Sequence, residues 1–174
     1  PLFEAASQGL CLCLYIYEPA VLDDDATHAT DVDFINGCLR DLDDSLRSLG
    51  GGLITRRGHA VDVLERLHAQ TGFRRILSHQ ETGNAATYAR DLAVEKWATN
   101  RGIEWRETRQ QGVFRGLKNR DGWAALWERD MRSTRVPPPT TVRSLNGIES
   151  LGILSPAGLG MNPKTRAHMQ VPGE

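Results

Sequence analysis

The sequence predicts an α/β fold, in which the strands of a parallel sheet alternate with helices. Residues 10–17 are apolar on both faces of an extended chain, which is typical of a strand buried inside a parallel sheet. Amphipathic helices and short strands alternate after this run, and a glycine ends three of the helices, at Gly50, Gly72 and Gly102. Because parallel strands need right-handed crossovers, this order predicts helices on both faces of the sheet.

The first half of the chain supplies two helices and a strand. The helix predicted from about 31 to 49 carries apolar residues at steps of three and four, with Thr30 as its N-cap. These residues share one face of the helix: Val32, Ile35, Leu39, Leu42, Leu46 and Leu49. A strand at 53–55 and a helix from about 59 to 71 follow.

The second half repeats this order, with a strand at 73–78, a helix from about 84 to 101, an edge strand at 103–108 and a last helix at about 121–133. The apolar residues expected on the helix at 84–101 are Ala85, Ala89, Leu92, Ala93 and Trp97. The chain opens in a predicted helix at 2–7, although a strand should precede the first helix of an α/β unit. We therefore expect that the opening strand of the sheet is missing from this sequence.

Composition and charge limit the classes of protein to consider. The chain has 174 residues, 40% of them hydrophobic and 25% charged, as expected for one globular domain with a tail. A formal net charge of −1 does not indicate a dedicated nucleic-acid binder, and no apolar run is long enough to cross a membrane. Three cysteines without a CxxC pair favour a reducing, cytoplasmic location.

The character of the chain changes near residue 134. Six of the eight prolines lie beyond this point, together with scattered glycines and little apolar periodicity. We therefore expect an α/β domain at 1–134 and a Pro/Gly-rich interdomain linker at 135–174, which would lead to a second domain absent from this sequence.

The most informative candidate site is the stretch 78–91, SHQETGNAATYARD, where a strand ends and a helix begins. Ligands of open α/β sheets bind at this edge, because backbone N–H groups and the helix dipole converge there. The candidate ligand-binding residues are His79, Gln80, Glu81, Gly83 and Asn84. An ordinary loop with a capped helix explains the same residues, and spacing alone does not decide between the two.

Two further strand ends carry candidate residues. Arg57 follows the second strand and could meet a phosphate or a carboxylate, or pair with surface carboxylates. Tyr17 and Glu18 close the first strand, where an aromatic ring could stack on a ligand or pack in the core. The three glycines at 50–52 follow a helix and precede a strand, the reverse of a phosphate-binding turn. The histidine spacing supports no metal site, and no nucleophile-elbow context indicates a catalytic serine.

Four stretches give the chain a resemblance to a known family. They are YIYEP at 15–19, LDDSLRSLGGGLITRRG at 42–58, SHQETGNAATYARD at 78–91 and QGVFRGLKNRDGWAALWERDM at 111–131. In these motifs, residues from about 2 to 134 resemble the N-terminal domain of the DNA photolyase/cryptochrome family. The resemblance implies a Rossmann-like sheet that can hold an antenna chromophore: methenyltetrahydrofolate, a deazaflavin or a flavin nucleotide.

The resemblance also implies what this chain would leave to the rest of a longer protein. FAD, the lesion pocket and the electron-relay tryptophans would belong to a helical C-terminal domain beyond the linker. Damaged DNA would be bound by the longer protein and not by this domain. No catalytic residue is therefore assigned here. The family's Arg-rich opening strand is absent, so its neighbours would expose sheet edges that could support self-association. The alternative function is a cryptochrome-like blue-light sensor, in which this domain is an interaction module without an antenna.

Overall fold

The computed structural model describes residues 1–25, 27–110 and 112–161. Of the predicted linker at 135–174, residues 162–174 therefore lie outside the described residues. The elements in chain order are α1 Leu2–Gln8, β1 Leu10–Cys11, β2 Cys13–Tyr17, α2 Pro19–Leu22, α3 Ala29–Ser48, β3 Leu53–Arg57, α4 Ala60–Thr71, β4 Arg75–His79, α5 Ala85–Arg101, β5 Glu104–Thr108, α6 Trp123–Met131 and β6 Arg143–Ser144. None of the helices described could span a bilayer.

Local capping explains where the helices start and stop. Gly72 and Gly102 end α4 and α5 with φ of 62° and 65°, in the left-handed region that glycine adopts without strain. Asn84 starts α5, because its side chain accepts the backbone N–H groups of Ala86 and Thr87, both at 3.1 Å. The N-cap of α3 is not Thr30, as the sequence predicted, but a residue two positions earlier.

The first turn of α3 gives the reason for this shift. Asp31 lies three residues after His28, and its carboxylate accepts the His28 backbone N–H at 2.9 Å. This contact satisfies the backbone N–H of His28 at the N-cap position, so the helix already includes Ala29 and Thr30.

The strands are parallel, as predicted, and helices pack against the sheet, so the predicted fold class is confirmed. β2 pairs with β3 over all five residues of each strand, from Cys13 opposite Leu53 to Tyr17 opposite Arg57. β4 pairs with β5 in the same way. The apolar run 10–17 is not one strand, however: it divides at Leu12 into β1, which pairs with β6, and β2.

The core consists of two clusters on opposite faces of the sheet. Alternate residues of β2 supply both, since Tyr17 belongs to the first cluster and Leu14 packs against the second. The first cluster contains α3 and β3 residues together with Val142 and Leu159. The second is built on α4 and α5, from Ala60, Leu64 and Val94.

Part of the predicted linker lies against the domain. Val142 donates its N–H to the Leu49 carbonyl at 2.8 Å, and the Leu154 carbonyl accepts Asn36 Nδ2 at 2.8 Å. Val142 and Leu159 are only 1% and 4% exposed, so residues 142–161 complete the first cluster. That residues 135–174 join two domains stays a prediction.

Candidate functional site at the carboxyl edge of the sheet

The carboxyl ends of β2, β4 and β5 bring polar side chains together. Four carboxylates and two guanidinium groups form what we call the edge cluster: Glu18, Glu81, Arg90, Asp91, Glu107 and Arg115. Glu18 follows β2, Glu81 follows β4, and Glu107 lies near the end of β5. Since the strands are parallel, these ends share the edge where α/β sheets bind ligands.

Asp91 is the buried centre of the edge cluster. It lies on α5, is 7% exposed, and accepts Arg90 Nη2 at 3.0 Å through Oδ1 and Arg115 Nη2 at 2.8 Å through Oδ2. Arg90 also bonds Glu18 at 2.7 Å, and Arg115 bonds Glu107 at 3.3 Å. The two arginines therefore tie α5 to the ends of β2 and β5.

The carboxylates of the edge cluster create an electrostatic environment that favours positively charged groups. Burial lowers the pKa of Arg90, but hydrogen bonds and charge from Glu18 and Asp91 more than offset this and raise the pKa overall. Burial raises the pKa of Glu107, and the neighbouring charge of Arg115 opposes that rise only in part. With four carboxylates against two guanidinium groups, the ionised cluster has an excess of negative charge and does not attract a phosphate.

An open cleft of about 580 Å³ adjoins the cluster. Its lining comes from the ends of β4, β5 and α6: Gln80, Glu107, Thr108, Arg109, Gln110, Asp130, Met131 and Ser133. Gln80 Oε1 is buried and has no hydrogen-bond partner among the described residues. Arg109 pairs with Asp130 at 2.8 Å, and its guanidinium carbon lies 4.4 Å from the centre of the Phe114 ring. The cleft lining thus combines a stacked, ion-paired arginine with a glutamine whose buried amide oxygen could accept a hydrogen bond if its side chain turned towards the cleft.

The structure separates the predicted residues of β2 and β3 from this cleft. The Tyr17 ring is 1% exposed and its hydroxyl donates to Asn36 Oδ1 at 2.7 Å, so it packs in the core and presents no face to a ligand. Arg57 donates to the Leu159 carbonyl at 3.2 Å and so fastens the 142–161 segment. Glu18 remains at the edge as a partner of Arg90.

The predicted residues after β4 have differing surroundings. Gln80 lines the cleft, Glu81 belongs to the edge cluster, and His79 Nδ1 lies 3.4 Å from the Thr108 hydroxyl. A side chain at Gly83 would require Thr87 to move, because an added Cβ would lie 2.8 Å from Thr87 Oγ1.

Asn84 caps α5 and also donates from Nδ2 to Asp24 Oδ2 at 2.8 Å. This second contact ties the start of α5 to the segment that follows α2. Residues 79–84 therefore lead into the start of α5 and contribute one residue, Gln80, to the lining of the cleft.

Sequence reasoning missed the buried face of α5. The predicted face included Ala85 and Leu92, but both are exposed, and the face that is buried carries Asp91, Val94 and Ala98. These three positions are spaced by three and four, so the pattern was present but was hidden by a carboxylate at its start. A charged residue on an otherwise apolar helical face is the feature that could have revealed Asp91.

Parallel strands in two halves, helical crossovers and a polar carboxyl edge define the chain as a Rossmann-like α/β domain. The family model for DNA photolyase matches residues 1–118, and the chain belongs to that family. In the curated proteins, it is 33% identical over 106 residues to Cryptochrome-2 of Gallus gallus and 33% identical over 92 residues to Cryptochrome-1 of Spalax judaei. These matches span 60% and 53% of this chain but only 18% and 16% of the relatives.

Solved structures share the fold. A cryptochrome of Synechocystis matches with a TM-score of 0.72 and 17% identity, over 98% of this chain and 38% of that one. An archaeal photolyase of Sulfolobus tokodaii, solved with two FAD molecules, has a TM-score of 0.69 and 19% identity over 99% and 40%. A class III photolyase of Agrobacterium tumefaciens has a TM-score of 0.65 and 20% identity over 86% and 33%. The chain is thus similar to the N-terminal domain of much longer proteins.

Proposed function

We propose that this chain is the antenna-type domain of a photolyase/cryptochrome-like flavoprotein, and that it holds a chromophore in the cleft beside β4 and β5. The longer protein would repair pyrimidine dimers by light-driven electron transfer from reduced FAD held in a helical C-terminal domain, and would act in the cytoplasm. This chain would supply the antenna and no catalytic residue. The observation that carries the proposal is the cleft at the carboxyl edge, which is lined by Gln80, a residue whose amide oxygen has no hydrogen-bond partner within the part of the chain that the structure describes.

The chemistry of the cleft fits the three candidate chromophores. Methenyltetrahydrofolate, a deazaflavin and a flavin nucleotide each carry a ring N–H that can donate to an amide oxygen such as Gln80 Oε1. Ion pairing leaves Arg109 neutralised by Asp130, and the neighbouring edge cluster has excess negative charge. The ring would therefore lie in the cleft, and its anionic tail would extend away from Glu107 towards solvent.

Titration of the 174-residue chain with each chromophore tests this assignment. Binding is followed by the change in chromophore fluorescence, and the Gln80→Leu variant removes the acceptor at nearly constant volume. Losing one hydrogen bond to a buried acceptor costs about 1–2 kcal/mol, so Kd should rise roughly 5- to 30-fold. Gln70→Leu, at an exposed position of α4, is the matched control and should bind each chromophore with the same affinity as the unmodified chain. If Gln80→Leu and Gln70→Leu bind every chromophore with equal affinity, the assignment of the cleft as the chromophore site is wrong.

A second function has its own support, because the curated relatives described above are cryptochromes. In a blue-light sensor this domain would be an interaction module, docked on the FAD domain without an antenna. The full-length protein distinguishes the two: a sensor photoreduces its flavin but leaves pyrimidine dimers in irradiated DNA unrepaired. Repair that becomes faster when the chromophore is added would support the antenna instead.

A further inference from the structure

α6 lies on the outside of the domain and carries an apolar face that the domain does not cover. None of its nine residues is buried. Trp123, Trp127 and Met131 follow one another at steps of four, so they share one side of the helix, and they are 42%, 42% and 50% exposed. Surface helices of globular domains normally turn their apolar side towards the core. We call the side formed by these three residues the tryptophan face.

The two indole rings of the tryptophan face are held in place by one residue, Gly112. Trp123 Nε1 donates to the Gly112 carbonyl at 3.1 Å. A Cβ at Gly112 would collide with Cδ1 of Trp127, so the Trp127 ring lies directly against backbone. The ring centres are 6.4 Å apart and the ring planes are tilted by 30°. These contacts orient both rings while much of each ring surface stays exposed.

The chain around the tryptophan face is basic, although the whole protein is not. Residues 112–135 contain six Lys or Arg and three Asp or Glu, whereas the complete sequence contains 21 and 22. Three arginines of this range pair with carboxylates. Lys118, Arg120 and Arg135 are exposed and form no salt bridge within the residues that the structure describes, and Asp121 is the single carboxylate of the range without one. Positive charge is therefore in excess here.

The unpaired cations lie at both ends of the tryptophan face. The Arg120 carbonyl accepts the Trp123 N–H at 3.1 Å, so Arg120 directly precedes the first ring. Lys118 is two residues earlier, and Arg135 follows Met131 by four residues, beyond the end of α6. An anionic ligand that lies along the tryptophan face would meet positive charge at each end.

Exposed aromatic rings between unpaired cations are the combination that binds single-stranded nucleic acid. Bases stack on aromatic side chains, and lysine and arginine follow the phosphates. Because Gly112 already occupies Trp123 Nε1, that ring offers a stacking surface and no donor to a base edge, so little sequence preference is expected. A second copy of the chain fits less well, since pairing two identical tryptophan faces would bring like charges together.

We propose that the tryptophan face binds single-stranded nucleic acid. Bases stack on Trp123 and Trp127, and Lys118, Arg120 and Arg135 contact the phosphates. The site requires neither a chromophore nor a damaged base, so the inference goes beyond the proposed function. It also departs from the expectation that this domain does not bind DNA, because a net charge of −1 for the whole chain hides the local excess of positive charge.

Fluorescence anisotropy of a labelled oligothymidylate of about twelve nucleotides tests the stacking on the 174-residue chain. Trp127→Ala should raise Kd about 5- to 150-fold, because a stacked base contributes about 1–3 kcal/mol. Tyr88→Ala removes an exposed aromatic ring from α5 and is the matched control, which should leave Kd unchanged. Since nothing in α6 is buried, Trp127→Ala should keep the far-UV circular dichroism of the unmodified chain.

The salt dependence of the same binding tests the cations. Arg120→Gln should reduce the slope of log Kd against log salt concentration by about 0.7, the change expected for one phosphate contact on a single strand. Lys96→Gln, at an exposed position of α5, is the matched control and should leave the slope unchanged.

A duplex of the same length should bind at least tenfold more weakly, since its bases are already stacked on one another. The proposal is overturned if the single strand shows no binding at low salt, or if Trp127→Ala and Tyr88→Ala bind it equally well. Equal affinity for the duplex also overturns it. So does a dimer, seen by light scattering, that Trp127→Ala dissociates, because a second copy then covers the tryptophan face.

Discussion

Replacing Asp91 with asparagine should destabilise the domain by about 2 kcal/mol. Asp91 is 7% exposed and accepts hydrogen bonds from two guanidinium groups, Arg90 at 3.0 Å and Arg115 at 2.8 Å. A hydrogen bond to a charged group contributes about 1.5–3 kcal/mol, and asparagine keeps one of the two acceptor oxygens. Both arginines are about one-quarter exposed and keep other carboxylate partners, so the full cost of breaking a buried ion pair, about 3–5 kcal/mol, is not reached.

Urea unfolding of the 174-residue chain measures this loss. With a slope of about 2 kcal/mol per molar, the midpoint of Asp91→Asn should fall by about 1 M. Asp41→Asn, at an exposed position of α3, is the control, and its free energy of unfolding should stay within about 0.5 kcal/mol of that of the unmodified chain. If Asp91→Asn unfolds at the same urea concentration as Asp41→Asn, the edge cluster does not hold α5 to the sheet, and the reasoning from burial and geometry is wrong.

Three further outcomes are expected. Leu64→Ala, in the second core cluster, should lower the free energy of unfolding in urea by about 3 kcal/mol. Leu92→Ala, on the exposed face of the next helix, should lower it by less than about 1 kcal/mol. Equal losses would show that the buried face of α5 is assigned incorrectly. Asn84→Ala should cost about 1 kcal/mol by removing the cap of α5, and a loss of helical circular dichroism should accompany it. Burial raises the pKa of Cys13 from 9.0 to about 11, so its proton is held more tightly in the folded state and stability should decline between pH 9 and 11; a Cys13→Ala variant with the same decline would contradict this cause.

Periodicity and turn chemistry determined most of the fold. The helices ending at Gly72 and Gly102 and the strands that follow them lie where the sequence predicted, because a left-handed glycine stops a helix whatever surrounds it. The prediction of one continuous strand at 10–17 was wrong, because the strand is interrupted at Leu12. Only tertiary contacts determine that β1 pairs with the distant β6 and not with the partner of β2. Strand propensity contains no information on such a partner.

The candidate site was predictable only in part. The end of β4 was identified from its position before a capped helix, and Gln80 does line a cleft there. Tyr17 was selected because aromatic rings stack on ligands, but a hydrogen bond to Asn36, 19 residues away, holds it in the core. Arg115 reaches Asp91 from a loop 24 residues later, and no local pattern announces a partnership across that distance.

The segment at 142–161 has a consequence for when the domain can fold. Its contacts to Thr55, Arg57 and Asn36 close loops of 95, 102 and 118 residues. The second core cluster, by contrast, is complete at Trp105. During synthesis, α4 and α5 can therefore pack while α3 still exposes apolar side chains that await Val142 and Leu159. Chaperones that recognise nascent apolar chains would find their binding site on α3 until Leu159 has left the ribosome, which makes the 142–161 segment the final step in folding of the domain.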